Sequence, residues 1–125
     1  MNVLLVDDSA SVRAILQVYL MGLHPTFLEA EDGERALRLL RLSPVDLVIA
    51  DVQMAPMDGI AFVRALRGSD RPALRTVPVV MLTGDRSEEV RAQGLQAGAD
   101  AFVRKPVDAK TLLRTIQDVM PPRVT

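Results

Sequence analysis

Five polar residues in this chain have types that can act together on one substrate: the adjacent carboxylates Asp7 and Asp8, the carboxylate Asp51, the hydroxyl of Thr83 and the ammonium of Lys105. Each ends a short apolar run, namely VLLVDD, DLVIAD, VPVVMLT and AFVRKP. Charge placed where a buried strand should stop is available to a ligand. Three carboxylates at close range repel one another unless a cation sits among them, and hard divalent cations prefer such oxygen donors. A lysine beside them adds a compact positive charge suited to phosphoryl oxygens. If the four runs are neighbouring parallel strands, the groups converge on one sheet edge as a cation and phosphoryl site.

The rest of the chain supplies that sheet. Short runs rich in β-branched residues alternate five times with segments of helical period, the pattern of a parallel sheet covered on both faces. In the first helix Val12, Ile15, Leu16, Tyr19 and Leu20 form the inward face, and Gly22 and Pro25 end it. A strand over Thr26 to Ala30 leads to a second helix capped by Asp32, with Ala36, Leu37 and Leu40 inward and a stop at Ser43 and Pro44. The third strand, Leu47 to Ala50, precedes a helix over Gly59 to Arg67 capped by Asp58. Gly68 to Pro72 breaks the chain, and Val77 to Leu82 forms the fourth strand. Asp85 and Glu88 then resemble a capping box for a fourth helix, whose inward face holds Val90, Leu95 and little else. Gly94 inside it costs about 1 kcal/mol relative to alanine. Ala101 to Arg104 is the fifth strand, and Asp108 caps a last helix with Leu112, Leu113, Ile116, Val119 and Met120 inward, ended by Pro121 and Pro122. In open sheets of this kind ligands collect beyond the carboxyl ends of the strands, where the charged residues stand.

Composition narrows the function classes. A chain of 125 residues is expected to form one domain, here over residues 1–120, with 121–125 a tail or the start of a linker. Fifteen basic and sixteen acidic side chains leave a formal charge of −1, so neither nucleic acid nor anionic membrane is an expected partner. With no cysteine and one histidine, His24, thiolate chemistry is excluded and zinc disfavoured. The opening MNVLLVDD lacks the basic and long apolar regions of a signal peptide, and the expected compartment is the cytoplasm.

Asp7, Asp8, Asp51, Thr83, Lys105 and Pro106, in this order along a (βα)5 pattern, closely resemble the receiver domain of two-component response regulators. The spacing of DVQMAPMDG and the GAD at 98–100 add to the resemblance, which spans almost the whole chain. It implies a flavodoxin-like, doubly wound sheet of order 2-1-3-4-5. By that resemblance Asp51 is the phosphoacceptor, and Asp7, Asp8, Asp51 and the backbone carbonyl of Gln53 hold Mg²⁺. Lys105 and Thr83 contact the phosphoryl oxygens, and the Lys105–Pro106 bond is cis. Thr83, Gly84 and Phe102 form the switch, read on the face of the fourth helix, fifth strand and fifth helix. The implied partners are a sensor histidine kinase or histidine phosphotransfer protein as donor and a downstream effector as recipient. The domain is then not an enzyme with an external product, and it acts as a monomer or a phosphorylation-dependent dimer.

Departures mark this chain as its own variant. Phe102 lacks the hydroxyl of relatives with tyrosine there, Gly84 replaces the commoner alanine, and MAPMDG puts Pro56 one place later than usual. KPV replaces the KPF of many dimerising transcriptional regulators, and by the resemblance Gln53 and Asp85 occupy positions that tune phosphoryl lifetime in the family. Rival readings are a receiver fragment of a DNA-binding regulator, a flavodoxin-like cofactor binder, an Mg²⁺-dependent phosphohydrolase, and a pseudo-receiver without phosphorylation. The loop DDSAS after the first strand argues against the second, because its carboxylates repel phosphate when no metal is bound. Gln53 stands where a DxD phosphohydrolase has its second acid.

Overall fold

The computed structural model describes residues 1–54, 57–84 and 88–120. Five strands form one parallel sheet: β1 (Asn2–Val6), β2 (Thr26–Ala30), β3 (Leu47–Asp51), β4 (Val79–Thr83) and β5 (Ala101–Arg104). Their order is β2-β1-β3-β4-β5, the doubly wound arrangement expected. The helices are α1 (Ala10–Leu20), α2 (Gly33–Leu42), α3 (Gly59–Arg67), α4 (Pro72–Thr76), α5 (Glu88–Ala97) and α6 (Ala109–Val119).

Alternation along the central strands divides the core in two. Leu4, Val6, Val48 and Ala50 point to one face, where Ala36 and Leu40 of α2 and Phe62, Val63 and Leu66 of α3 cover them. Val3, Leu5, Leu47 and Ile49 point to the other, beneath Leu16 and Leu20 of α1 and Leu112 and Ile116 of α6. Both faces of β1, β3 and β4 are covered, so these three strands read as continuous apolar runs whose polar residues fall at the ends. Caps fix where helices begin: Asp32, Asp58 and Asp108 accept from the N–H groups of Arg35, Ala61 and Thr111 at 2.9, 2.7 and 2.9 Å. Asp85, the expected cap of α5, and Pro121 and Pro122 lie outside the described residues.

Several expectations need correction. The stretch read as a simple break at Gly68 to Pro72 runs into the short helix α4, which Pro72 opens; a fixed φ and a missing N–H suit that first position. Val77 caps its end, so β4 starts at Val79. The first helix does not stop cleanly, because a 3₁₀ turn over Met21–Leu23 leads to His24 at φ 52°. Ile15 is 49% exposed, since the contact stripe of α1 runs through Leu16 and Leu20 and leaves Ile15 beside it. Leu95 is 39% exposed, while Val90, Gly94 and Ala97 make the inner row of α5. Gly and Ala carry little hydrophobic signal, so that row is hidden in the pattern.

One polar node ties the far end of this layer together. Arg67, at the end of α3, donates to the carbonyls of Gly98 and Leu74 at 2.9 and 3.3 Å and pairs with Asp100 at 3.0 Å. The same Asp100 oxygen accepts the Val79 N–H at 2.7 Å. Burial pulls the Arg67 pKa below its ordinary value against the opposing pull of Asp100.

Candidate active site

The turn after β1 is built to hold one carboxylate rigidly. The Asp7 N–H extends the ladder to Ala30 O at 3.0 Å, and its side-chain Oδ1 accepts from the Ser9 N–H at 2.8 Å. Ser9 also caps α1 through its hydroxyl, which accepts from Val12 N at 3.3 Å. Arg13 donates to the Asp7 carbonyl and pairs with Glu29 at 3.0 Å, clamping the turn from β2. Neither Ser9 nor Arg13 was singled out from sequence, though a serine before an apolar-periodic run is a cap signal.

Asp51 ends β3 one strand away. Its Oδ1 accepts from the Gln53 N–H at 3.2 Å, and its Oδ2 accepts from Lys105 Nζ at 3.1 Å. The first residue of α3 lies against the end of β3, where the Gly59 N–H donates to Val52 O at 2.8 Å. A Cβ at Gly59 would lie 2.3 Å from the Asp51 carbonyl oxygen, so the glycine of MDG allows α3 to start against the site.

Lys105 reaches both acids from the end of β5, with Nζ 3.6 Å from Asp7 Oδ2 as well. Its own N–H donates to Thr83 O at 2.8 Å, which ties it to the end of β4, and the Lys105–Pro106 bond is cis. Thr83 is the last residue of β4 and is buried, whereas Gly84, Gln53 and Asp8 are exposed. Asp7, Asp8 and Asp51 each present a carboxylate oxygen within 4.8 Å of the others'. Phe102, the expected aromatic switch residue, is placed apart from this cluster, pairing with Met81 on β4 and packing beneath α5.

The electrostatics favour a cation. Asp7 is 1% exposed, and its Oδ2 is, among the described residues, the buried side-chain oxygen left without a hydrogen-bond partner. Burial raises the Asp7 pKa above the ordinary carboxylate value, the Ser9 N–H opposes this, Asp51 raises it further, Lys105 lowers it and Asp8 raises it. The folded state therefore binds this proton more tightly than the unfolded chain. Ionised Asp7 costs stability above its raised pKa, and the cost is relieved as pH falls through it. A divalent cation relieves the same cost at neutral pH, and an all-oxygen donor set fits one of the hard kind.

Fold and site together define an acid-edged doubly wound domain suited to a hard cation and a phosphoryl group. Residues 3–117 match the family described as the response regulator receiver domain, and the chain belongs to that family. It is 39% identical over 105 residues to a gliding motility regulatory protein of Myxococcus xanthus, a match covering 84% of this chain and 13% of that protein. Several transcriptional regulators also match, and the chain spans about half of their length. The structure of the chemotaxis protein CheY4 of Vibrio cholerae superposes with a TM-score of 0.87 at 35% identity, covering 95% of this chain and 98% of that one. The receiver domain of a sensor histidine kinase from Pseudomonas aeruginosa, whose structure has a magnesium ion coordinated in the active site cleft, gives a TM-score of 0.84 at 26% identity, covering 94% and 95%. No helix of the described residues is long and apolar enough to cross a membrane.

Proposed function

We propose that this receiver accepts a phosphoryl group on Asp51 from a phosphohistidine of a sensor histidine kinase or a histidine phosphotransfer protein. The observation that carries the reading is the buried Asp7 Oδ2, which accepts no hydrogen bond, beside Asp8, Asp51 and Lys105, an all-oxygen donor set that fits a hard cation. Asp7, Asp8, Asp51 and the Gln53 carbonyl would hold Mg²⁺, which when bound supplies charge neutralisation for the phosphoryl oxygens.

The chain's own residues do the rest. An Asp51 carboxylate oxygen attacks phosphorus as the phosphorus–nitrogen bond breaks, and the electron pair returns to the donor imidazole, which takes a proton from solvent. Lys105 leaves Asp51 Oδ2 for the arriving phosphoryl oxygens and keeps its ammonium between the two acids. The Thr83 hydroxyl, on the neighbouring strand end, turns to the phosphoryl group and draws the chain at Gly84 with it. Phe102 then shifts by packing alone, and the face of α5, β5 and α6 presents the altered surface to an effector. The setting for this exchange is the cytoplasm, and the domain passes on a state instead of releasing a product.

Acetyl phosphate with Mg²⁺ should add one phosphoryl group to the wild type by intact mass and none to Asp51→Asn. No addition to the wild type, or equal addition to both, would sink the reading. Asp7→Asn should raise the melting temperature of the metal-free protein and reduce its Mg²⁺-dependent gain.

A further inference from the structure

Gly94 sits in the middle of α5, where an alanine would support the helix better. Its position is buried, and the space a side chain would take is filled by an aromatic ring. A Cβ on Gly94 would lie 2.0 Å from Cζ, 2.7 Å from Cε2 and 3.2 Å from Cε1 of Phe102. The ring tip thus rests on the α5 backbone, with Val90 and Ala97 of the same row also packed against this core. Phe102 in turn is the β5 residue paired with Met81, two positions before Thr83 on β4 and three before Lys105 on its own chain. The C-terminal end of α5 is tied to α3 by Arg67 through the Gly98 carbonyl, so α5 has little freedom to retreat there from a larger residue at 94.

We propose that Gly94 is a positioning residue: its missing side chain is the seat of the Phe102 ring, and the seated ring couples α5 to the strand ends that carry Thr83 and Lys105. Any side chain at 94 unseats the ring, because ring and Cβ cannot share the space. The helix therefore accepts a poor helix former at its centre in return for a contact that no other residue type permits. The link to phosphorylation rests on the function proposed above, whereas the seat itself does not.

The test separates the two. Thermal unfolding is compared for the wild type, Gly94→Ala, Phe102→Leu and the double variant, since leucine lacks the Cε and Cζ atoms that meet Gly94. A seat predicts opposite signs: Gly94→Ala lowers the melting temperature beside Phe102 and raises it beside leucine. A rise of similar size in both backgrounds means that the glycine is an ordinary helix defect, and overturns the proposal. Proton NMR gives a second readout, in which the Gly94 Hα signals carry a ring-current shift in the wild type that Phe102→Leu abolishes. Unchanged Gly94 signals in that variant would overturn the contact. With beryllofluoride and Mg²⁺, Gly94→Ala should change the half-saturating concentration by about fivefold or more. An unchanged value in a variant whose ring has moved removes the coupling. Failure of the wild type to bind beryllofluoride overturns the phosphoacceptor reading and leaves the seat to the unfolding cycle.

Discussion

Helices α5 and α6 flank β5 on opposite faces of the sheet and are held there by different means. On α6, Leu112 and Ile116 are buried with strand residues Val80, Leu82 and Val103, and Leu113 and Val119 pack at the border. On α5 the buried residue is Gly94, with Val90 and Ala97 partly covered. One helix is anchored by large apolar side chains, the other by an aromatic ring pushed against its backbone and by an arginine at its end. Large apolar anchors bury more surface than the small row of α5, so α6 is held mainly by its own side chains and α5 mainly by groups its neighbours supply.

Four perturbations would break or sharpen that contrast. Truncating Leu112 to alanine should cost about 2–5 kcal/mol in denaturant unfolding, because the site is fully enclosed. A cost below that of Val90→Ala would invert the comparison. Arg67→Ala should cost roughly 1–3 kcal/mol through the loss of charge-assisted bonds at the end of α5. Hydrogen exchange should then speed up at Ala97 and Ala99 and leave α6 unchanged; equal acceleration in both helices would mean that Arg67 serves the whole fold. Val90→Ala, at a half-covered position, should cost about 1 kcal/mol and be felt mainly in α5 exchange.

The smallest effect is expected from acid at the α6 cap. Hydrogen bonds from the Thr111 hydroxyl and N–H lower the Asp108 pKa below 3.8, so the carboxylate stabilises the folded state above the unfolded value. That contribution is lost as pH falls through the depressed folded pKa. The melting temperature advantage of the wild type over Asp108→Asn should therefore be constant above about pH 5 and shrink below it. An advantage that persists at the lowest pH would assign the difference to something other than the charge.

Much of the site could be read from residue types alone. Asp7, Asp51, Thr83 and Lys105 each end an apolar run, and the sheet brings those ends together in the expected order. The helix starts at Asp32, Asp58 and Asp108 were equally plain, since a short acid before a periodic segment has one common use. Other features were hidden for definite reasons. The clamp from Arg13 across to Glu29 joins residues sixteen apart on separate elements. Ile15 has the right spacing for burial, yet no partner layer covers it. Helix α4 is too short to carry a period, and only Pro72 announced it.

Sequence alone determined the alternation of elements, the charged strand ends and the membership of the chemical groups that meet there, because these depend on local pattern and on residue type. Tertiary structure decided that Asp7 keeps a buried oxygen without a donor, that Lys105 lies 3.1 Å from Asp51, and that Phe102 fills the space Gly94 leaves open. Those facts belong to pairs of residues from different elements, and only packing brings such pairs into contact.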